Sequence, residues 1–290
     1  MLQLMRDDGL LEDGGEIYCD MNDNEKASDN VQQAAEATGI DFDGVFSPHE
    51  GVMTLVGDLC ERMKLPGNCA EAYYMARDKK LGREACVRAG VPSPRFEAIY
   101  KRDDIDAVVE RVGLPLVMKP SSGAGSDGVF KCSSMEEVYT NYDRVIKEMS
   151  ENDTFLINAG LTILLIVEEY IDGDEFDVDV LMYDGEAVYA NIIDNWPTME
   201  PTFLETGSNC PTSYGPKEAQ QLKDYAVDCV RAMKFKQGCF HVEVKYSRKE
   251  TRLQKDADGD VLGTPLLIEV NPRMGVGALF CCGVSFISQK

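Results

Sequence analysis

The sequence predicts a mixed α+β / α/β protein, and three observations carry that prediction. Short apolar runs bounded by Gly, Pro and Asp alternate with segments of helical period. The strongest run, Leu161 to Val167, is seven residues long, which suits a buried strand and falls far short of the roughly 20 that a bilayer needs. Asp184-Gly185 separates two strand-like segments, Glu175 to Tyr183 and Glu186 to Ile193, as in a β-hairpin.

The elements follow in order. Residues 1 to about 30 are acidic and rich in Gly and Asn and read as a loose lead-in. A helix is expected from Asn30 to Thr38, stopped by Gly39, then a short strand from Gly44 to Ser47. Leu55, Leu59 and Met63 recur at helical spacing before the Pro66-Gly67-Asn68 break. A helix from Ala70 to Ala89 ends at Gly90, and Pro92 and Pro94 introduce a strand from Arg95 to Tyr100. From Leu114 the pattern is strand (Leu114 to Pro120), glycine loop, strand (Val129 to Ser133), and a helix from Ser134 to Met149 capped by Ser133 or Ser134. A strand from Leu161 to Tyr170 and the hairpin come next. A Pro-rich crossing, a helix from Lys217 to Lys234 and two strands, Gly238 to Tyr246 and Pro265 to Val270, complete the series.

Asp plus Glu number 51 against 29 Lys plus Arg, a net charge of −22, so the chain at large repels nucleic-acid backbones and anionic membranes. An anionic ligand must be held by local cations, metal ions or backbone N–H groups. The first fifteen residues carry four acids and one Arg, unlike a signal or transit peptide, which makes cytoplasmic residence the expectation. Ten scattered cysteines without a CxxC pair predict reduced thiols, with the vicinal Cys281 and Cys282 in packing roles.

Four segments carry chemistry. Gly123, Gly125 and Gly128 satisfy GxGxxG, but the following residues read as strand, so the loop suits a hairpin folding backbone N–H groups over phosphates, or a plain turn. Lys119, in an otherwise apolar strand, could end in solvent or be aimed at a bound anion, and its place beside that loop favours the anion; Lys79, in a charged helical turn, is a weaker case, since most such charges face solvent. Glu168 and Glu169 are adjacent on a strand and so point to opposite faces, one into a cleft and one to water; two edge charges that deter aggregation are the alternative. In LLIEVNPR, Glu269, Asn271 and Arg273 share one face, and in HVEVKY so do His241, Glu243 and Lys245. If these strands pair, Glu243, Glu269 and Asn271 converge as hard oxygen donors suited to Mg²⁺. Asp256, Asp258 and Asp260 hint at calcium, but Gly259 falls too early for an EF-hand loop and a hairpin turn is expected.

In order, RDK (Arg77 to Lys79), LPLVMKPSSGAGSDGV (Leu114 to Val129), VEEYIDGDEFDVDV (Val167 to Val180), and HVEV followed by LIEVNPRMG (Leu267 to Gly275) resemble the ATP-grasp superfamily over about residues 65 to 277. HxE before ExNPR and PTFLETG (Pro201 to Gly207) look most like its carnosine synthase and L-amino-acid ligase branch. The resemblance implies a nucleotide held between two α+β subdomains, here a lid at about 115–170 and a metal-binding part at about 171–290 of an ATP-grasp domain spanning 76–290, after a short α/β unit at 1–75. It implies that Lys79 and Lys119 contact the phosphates of ATP and that Ser121, Ser122, Gly123, Gly125, Ser126 and Gly128 cover them. Glu168, with the backbone of Glu169, Tyr170 and Ile171, would read adenine, and Glu175 the ribose. Glu243, Glu269 and Asn271 would bind Mg²⁺, with Mn²⁺ as a substitute, while Arg273 and Lys119 act in catalysis. A substrate carboxylate, that of an amino acid, would become an acyl phosphate and pass to an amine in a protein that is often a homodimer. Relatives have a larger N-terminal domain, continue well beyond the position of Arg273, and differ at the glycine run Gly275-Val276-Gly277, so a truncated or diverged member that binds nucleotide without turnover is the alternative expectation.

Overall fold

The computed structural model describes residues 16–21, 26–47, 49–123, 125–152, 164–200 and 203–275. Ala124, Leu161 to Ile163, Pro201, Thr202, Val276, Gly277 and the Cys281-Cys282 pair lie outside the described residues. The chain divides into two compact units, Met1–Ala70 and Glu71–Lys290.

In the first unit, helix α1 (Ala27–Glu36) packs on α2 (Met53–Met63), and an Arg62–Asp29 ion pair joins them. The strand expected at Gly44 to Ser47 does not form: the segment is irregular, with Phe46 87% exposed. Strand propensity in Val45 and Phe46 has no effect without a neighbouring strand to complete a ladder.

The second unit contains the rest. The helix expected at Ala70 to Ala89 is two helices, α3 (Ala70–Arg77) and α4 (Lys79–Arg88). Asp78 breaks them by leaving the helical region (φ −95°, ψ 106°) and capping α4, its carboxylate accepting from the Lys80 and Leu81 N–H groups. A four-stranded antiparallel sheet follows, ordered β1 (Phe96–Ile99), β4 (Leu165–Glu169), β2 (Leu116–Pro120), β3 (Phe130–Cys132). Helices α5 (Ile105–Val112), absent from the sequence reading, and α6 (Met135–Asn152) pack on one face, burying Leu116, Met118, Leu165 and Val167 with Val108 and Val145. By alternation Val117, Lys119, Ile166 and Glu168 face the other way.

The second sheet is ordered β11 (Thr264–Asn271), β8 (Gly238–Ser247), β5 (Asp174–Tyr183), β6 (Glu186–Asn195), β7 (Ser208–Asn209). The β5–β6 turn has positive φ at both Asp184 (50°) and Gly185 (82°), as a two-residue I′ hairpin requires. Phe176, Val178, Val180, Val242 and Val244 are buried on the face that packs against α7 (Pro216–Ala232). The opposite face therefore carries Glu175, Asp177, Asp179, His241, Glu243 and Lys245. The excursion after β8 contains a small hairpin, β9 (Gln254–Lys255) with β10 (Val261–Leu262), and the Lys217 ammonium lies 2.6–2.7 Å from Asp256, Asp258 and Asp260.

Candidate active site

The cleft-facing side chains of both sheets line one cavity of about 240 Å³. Lys79, Lys119, Gly123, Gly125, Ser126, Glu168, Glu169, Tyr170, Ile171, Glu175, Glu243, Glu269, Asn271 and Arg273 all line it. Three residues expected there do not. Ser121 turns its hydroxyl to Asp78 and its carbonyl to the Lys79 N–H (2.8 Å), Ser122 is exposed, and Gly128 lies against Pro120. At Gly128 φ is +70°, which favours glycine, and a Cβ would also crowd the Pro120 ring at 3.1 Å.

One end is built by the β8–β11 pairing. Glu269 stands opposite Glu243 and Asn271 opposite His241. The Asn271 amide donates to Glu243 Oε1 at 2.9 Å, so the oxygen-bearing trio does converge. Burial, then the neighbouring Glu269 and Asp177 carboxylates, pushes Glu243 up to about 8. Two carboxylates and an amide that share too little positive charge fit a hard divalent cation. Lys79 Nζ sits 2.7 Å from Glu269 Oε1 and donates to the Gly123 carbonyl at 3.1 Å, joining this end to the glycine loop. Beyond it, His241 Nδ1 lies 3.0 Å from Asp179 Oδ1 and Nε2 3.6 Å from Asp177 Oδ2. Gly275 passes so close that a Cβ there would fall 2.2 Å from His241 Nδ1, which fixes glycine two residues after Arg273.

At the other end Glu168, only 4% exposed, receives Arg83 through both carboxylate oxygens (2.7 and 3.2 Å) and Lys119 at 2.7 Å. Burial alone would raise its pKa; the guanidinium and the ammonium outweigh burial and hold it at about 2. Lys119 is lowered, burial outweighing its partner Glu168. The strand alternation does send Glu168 and Glu169 to opposite faces, yet Glu169 does not meet water: it is 9% exposed and bound by Arg95 and Arg252. Glu175 is raised by burial, which Lys245 at 3.6 Å only partly offsets.

Sequence reasoning gave no role to Arg83, Lys245, Asp177, Thr198, Phe203 or Glu205. A signal for two of them was present: Arg83 follows Lys79 by four positions on one helix face, and Lys245 shares parity with Glu243. Phe203 lies within PTFLETG, but in an irregular crossing that has no period from which its facing can be read; its carbonyl accepts from Ser126 Oγ.

The family model described as "ATP-grasp domain" matches residues 112–281, more than half of the sequence. The chain belongs to the ATP-grasp family. Among curated ATP-grasp relatives, carnosine synthase 1 of Homo sapiens is 29% identical over 271 residues, covering 89% of this chain and 31% of that protein. The D-alanine–D-alanine ligase of Cupriavidus taiwanensis is 26% identical over 259 residues, covering 85% of this chain and 71% of that protein. The crystal structure of L-amino acid ligase from Bacillus licheniformis superimposes with a TM-score of 0.68 at 24% identity, over 89% of this chain and 55% of that chain, which establishes the likeness of fold. This ATP-grasp chain thus spans about a third of the length of the carnosine synthases that it matches.

Proposed function

We propose that this protein is an ATP- and Mg²⁺-dependent carboxylate-amine ligase acting on amino acids. The observation that carries the proposal is the convergence of Glu243, Glu269 and Asn271 at one end of a cavity whose wall also presents Lys79, Lys119, the Gly123–Ser126 loop and Arg273. The D-alanine–D-alanine ligase among the relatives, named for the amino acid it joins, supports the substrate class.

In this reading the lid is the four-stranded sheet with its glycine loop, and the metal-binding part is the five-stranded sheet. Tyr170 and Ile171 offer backbone groups to the adenine, and Glu175 accepts from the ribose hydroxyls. Glu168 contributes through charge: its oxygens are committed to Arg83 and Lys119, so it holds Lys119 beside the phosphates. Glu243, Glu269 and Asn271 would hold the divalent cation, which when bound neutralises phosphate oxygens. The substrate carboxylate oxygen bonds to the γ-phosphorus as the bond to ADP breaks. An amine then displaces phosphate from the acyl carbon and loses a proton, leaving an amide. Arg273 stabilises the negative charge that passes through both steps, and positioning with charge neutralisation accounts for most of the acceleration.

A screen of amino-acid pairs should give ADP and phosphate in equal amounts, dependent on amino acid and lost in Glu269→Ala. Release that Glu269→Ala leaves intact would refute the assignment. Binding of MgATP with no release across a broad panel would reduce the protein to a nucleotide-binding module.

A further inference from the structure

Strand β11 contains one residue too many for its partner. Leu266 opposes Lys245 and Leu267 opposes Val244, but Glu269, and not Ile268, opposes Glu243. Ile268 is a β-bulge, and a one-residue insertion reverses the facing of every side chain after it. Without it Ile268 would oppose Glu243, and Glu269 would oppose Val242 and turn to the face that packs against α7. The bulge therefore decides whether Glu269 and Asn271 enter the cavity.

A bulge leaves a carbonyl out of the ladder. Here Arg83 Nη2 donates to the Ile268 carbonyl at 2.7 Å. The same guanidinium holds Glu168 through Nε (2.7 Å) and Nη2 (3.2 Å), and Arg83 is 1% exposed. A guanidinium is a rigid planar fork, so fixing two of its nitrogens on one carboxylate fixes where the bond to Ile268 points. One helical turn earlier on α4, Lys79 pairs with Glu269 itself. Helix α4 thus grips both the bulge and the carboxylate that follows it.

We propose that Arg83, anchored by Glu168, is a positioning residue that holds the Ile268 bulge and through it aims Glu269 and Asn271 into the cation site. The proposal rests on the metal-binding role assigned to Glu243, Glu269 and Asn271 above. It makes the lid-side carboxylate Glu168 and the metal ligands parts of one device joined through Arg83.

The test is binding of Mn²⁺ alone, followed as loss of the free-ion paramagnetic resonance signal, on the full chain with cooperative unfolding checked for each variant. Arg83→Lys keeps the charge but cannot span both acceptors; its affinity should fall about 10- to 100-fold, the range for groups that orient metal ligands. In a Glu269→Gln background, Arg83→Lys should cause a clearly smaller further loss, because of the two ligands that Arg83 aims only Asn271 remains unchanged. General destabilisation would instead weaken both backgrounds equally. If Arg83→Lys does not fold, Glu168→Gln, which loosens the anchor but keeps Arg83, should weaken Mn²⁺ binding at least about threefold, below the range for a direct orienting group because it acts one step further away. Wild-type affinity in whichever variant folds, or equal losses in both backgrounds, overturns the proposal. Equal affinity in the wild type and Glu269→Gln overturns the metal-site reading itself, and the role of Arg83 with it.

Discussion

Glu168 shows what burial does to an ionised side chain when its counter-ions are present. Isolated, a carboxylate this deep would be neutral; with Arg83 and Lys119 on it, its pKa is about 2 against an ordinary 4.5. Because the folded pKa is depressed, the associated stability is complete above the unfolded value and is lost as pH falls from about 4.5 toward 2. Between about pH 6 and pH 3 the loss amounts to about 2 kcal/mol, at about 1.36 kcal/mol per unit. Urea unfolding at the two pH values should show that loss, and Glu168→Gln should lack this portion of it. The variant should also be less stable at about pH 7 by about 3–5 kcal/mol, since it leaves buried cations without their partner. An acid profile in Glu168→Gln identical to that of the wild type would show that this ion pair does not matter to stability. The acids and lysines of the cavity are legible because they lie in short runs whose parity gives their facing. Their counter-ions are not: Arg83 is 85 positions from Glu168 and Arg252 is 83 from Glu169, separations to which no local pattern extends.

Among the elements, α3 and α4 read as one helix because nothing in Ala70 to Ala89 is a Gly or Pro until Gly82, which the helix tolerates. What divides them is tertiary. The Lys79 N–H bonds to the Ser121 carbonyl at 2.8 Å in place of a helical acceptor, and Asp78 then caps the new N-terminus while receiving the Ser121 hydroxyl. The converse error, the strand expected at Gly44 to Ser47, arose from propensity alone. Helix α5 was legible in principle: Ile105, Val108, Val109 and Val112 are all buried at helical spacing and Gly113 follows. The break at Asp78 sets the direction of both Lys79 and Arg83, so its loss should be felt in the cavity. Asp78→Ala should cost about 1 kcal/mol, up to about 2, in chemical denaturation, and Asp78→Asn should restore most of it. Nucleotide affinity should fall in the same order. Unchanged stability in Asp78→Ala would mean that Ser121 alone maintains the break.

The whole molecule poses an electrostatic problem, because a chain of net charge −22 is proposed to bind a triphosphate. Most of the acids do not line the cavity, and exposed charges more than roughly 8 Å apart are largely screened at physiological salt. The cavity has its own acids, however: Asp127, Glu168, Glu169, Glu175, Glu205, Glu243 and Glu269 line it, against Lys79, Lys119, Lys245 and Arg273. Its lysines are already engaged within the site, Lys79 with Glu269, Lys119 with Glu168 and Lys245 with Glu175. Acids thus outnumber cations in the lining, which does not by itself attract a polyanion and leaves the divalent cation to supply the difference. Binding should therefore depend on metal far more than on ionic strength. At about 100 times its dissociation constant a ligand specific to the folded state stabilises it by about 2.7 kcal/mol, which for a unit of this size raises the midpoint of thermal unfolding by about 5–10 °C. MgATP should reach that shift, whereas the same ATP concentration in EDTA should give little of it. Raising salt in EDTA should recover little, because screening weakens repulsion without replacing the missing coordination between carboxylates and phosphates. An equal shift with and without metal would show that the lysines and the glycine loop hold the phosphates unaided.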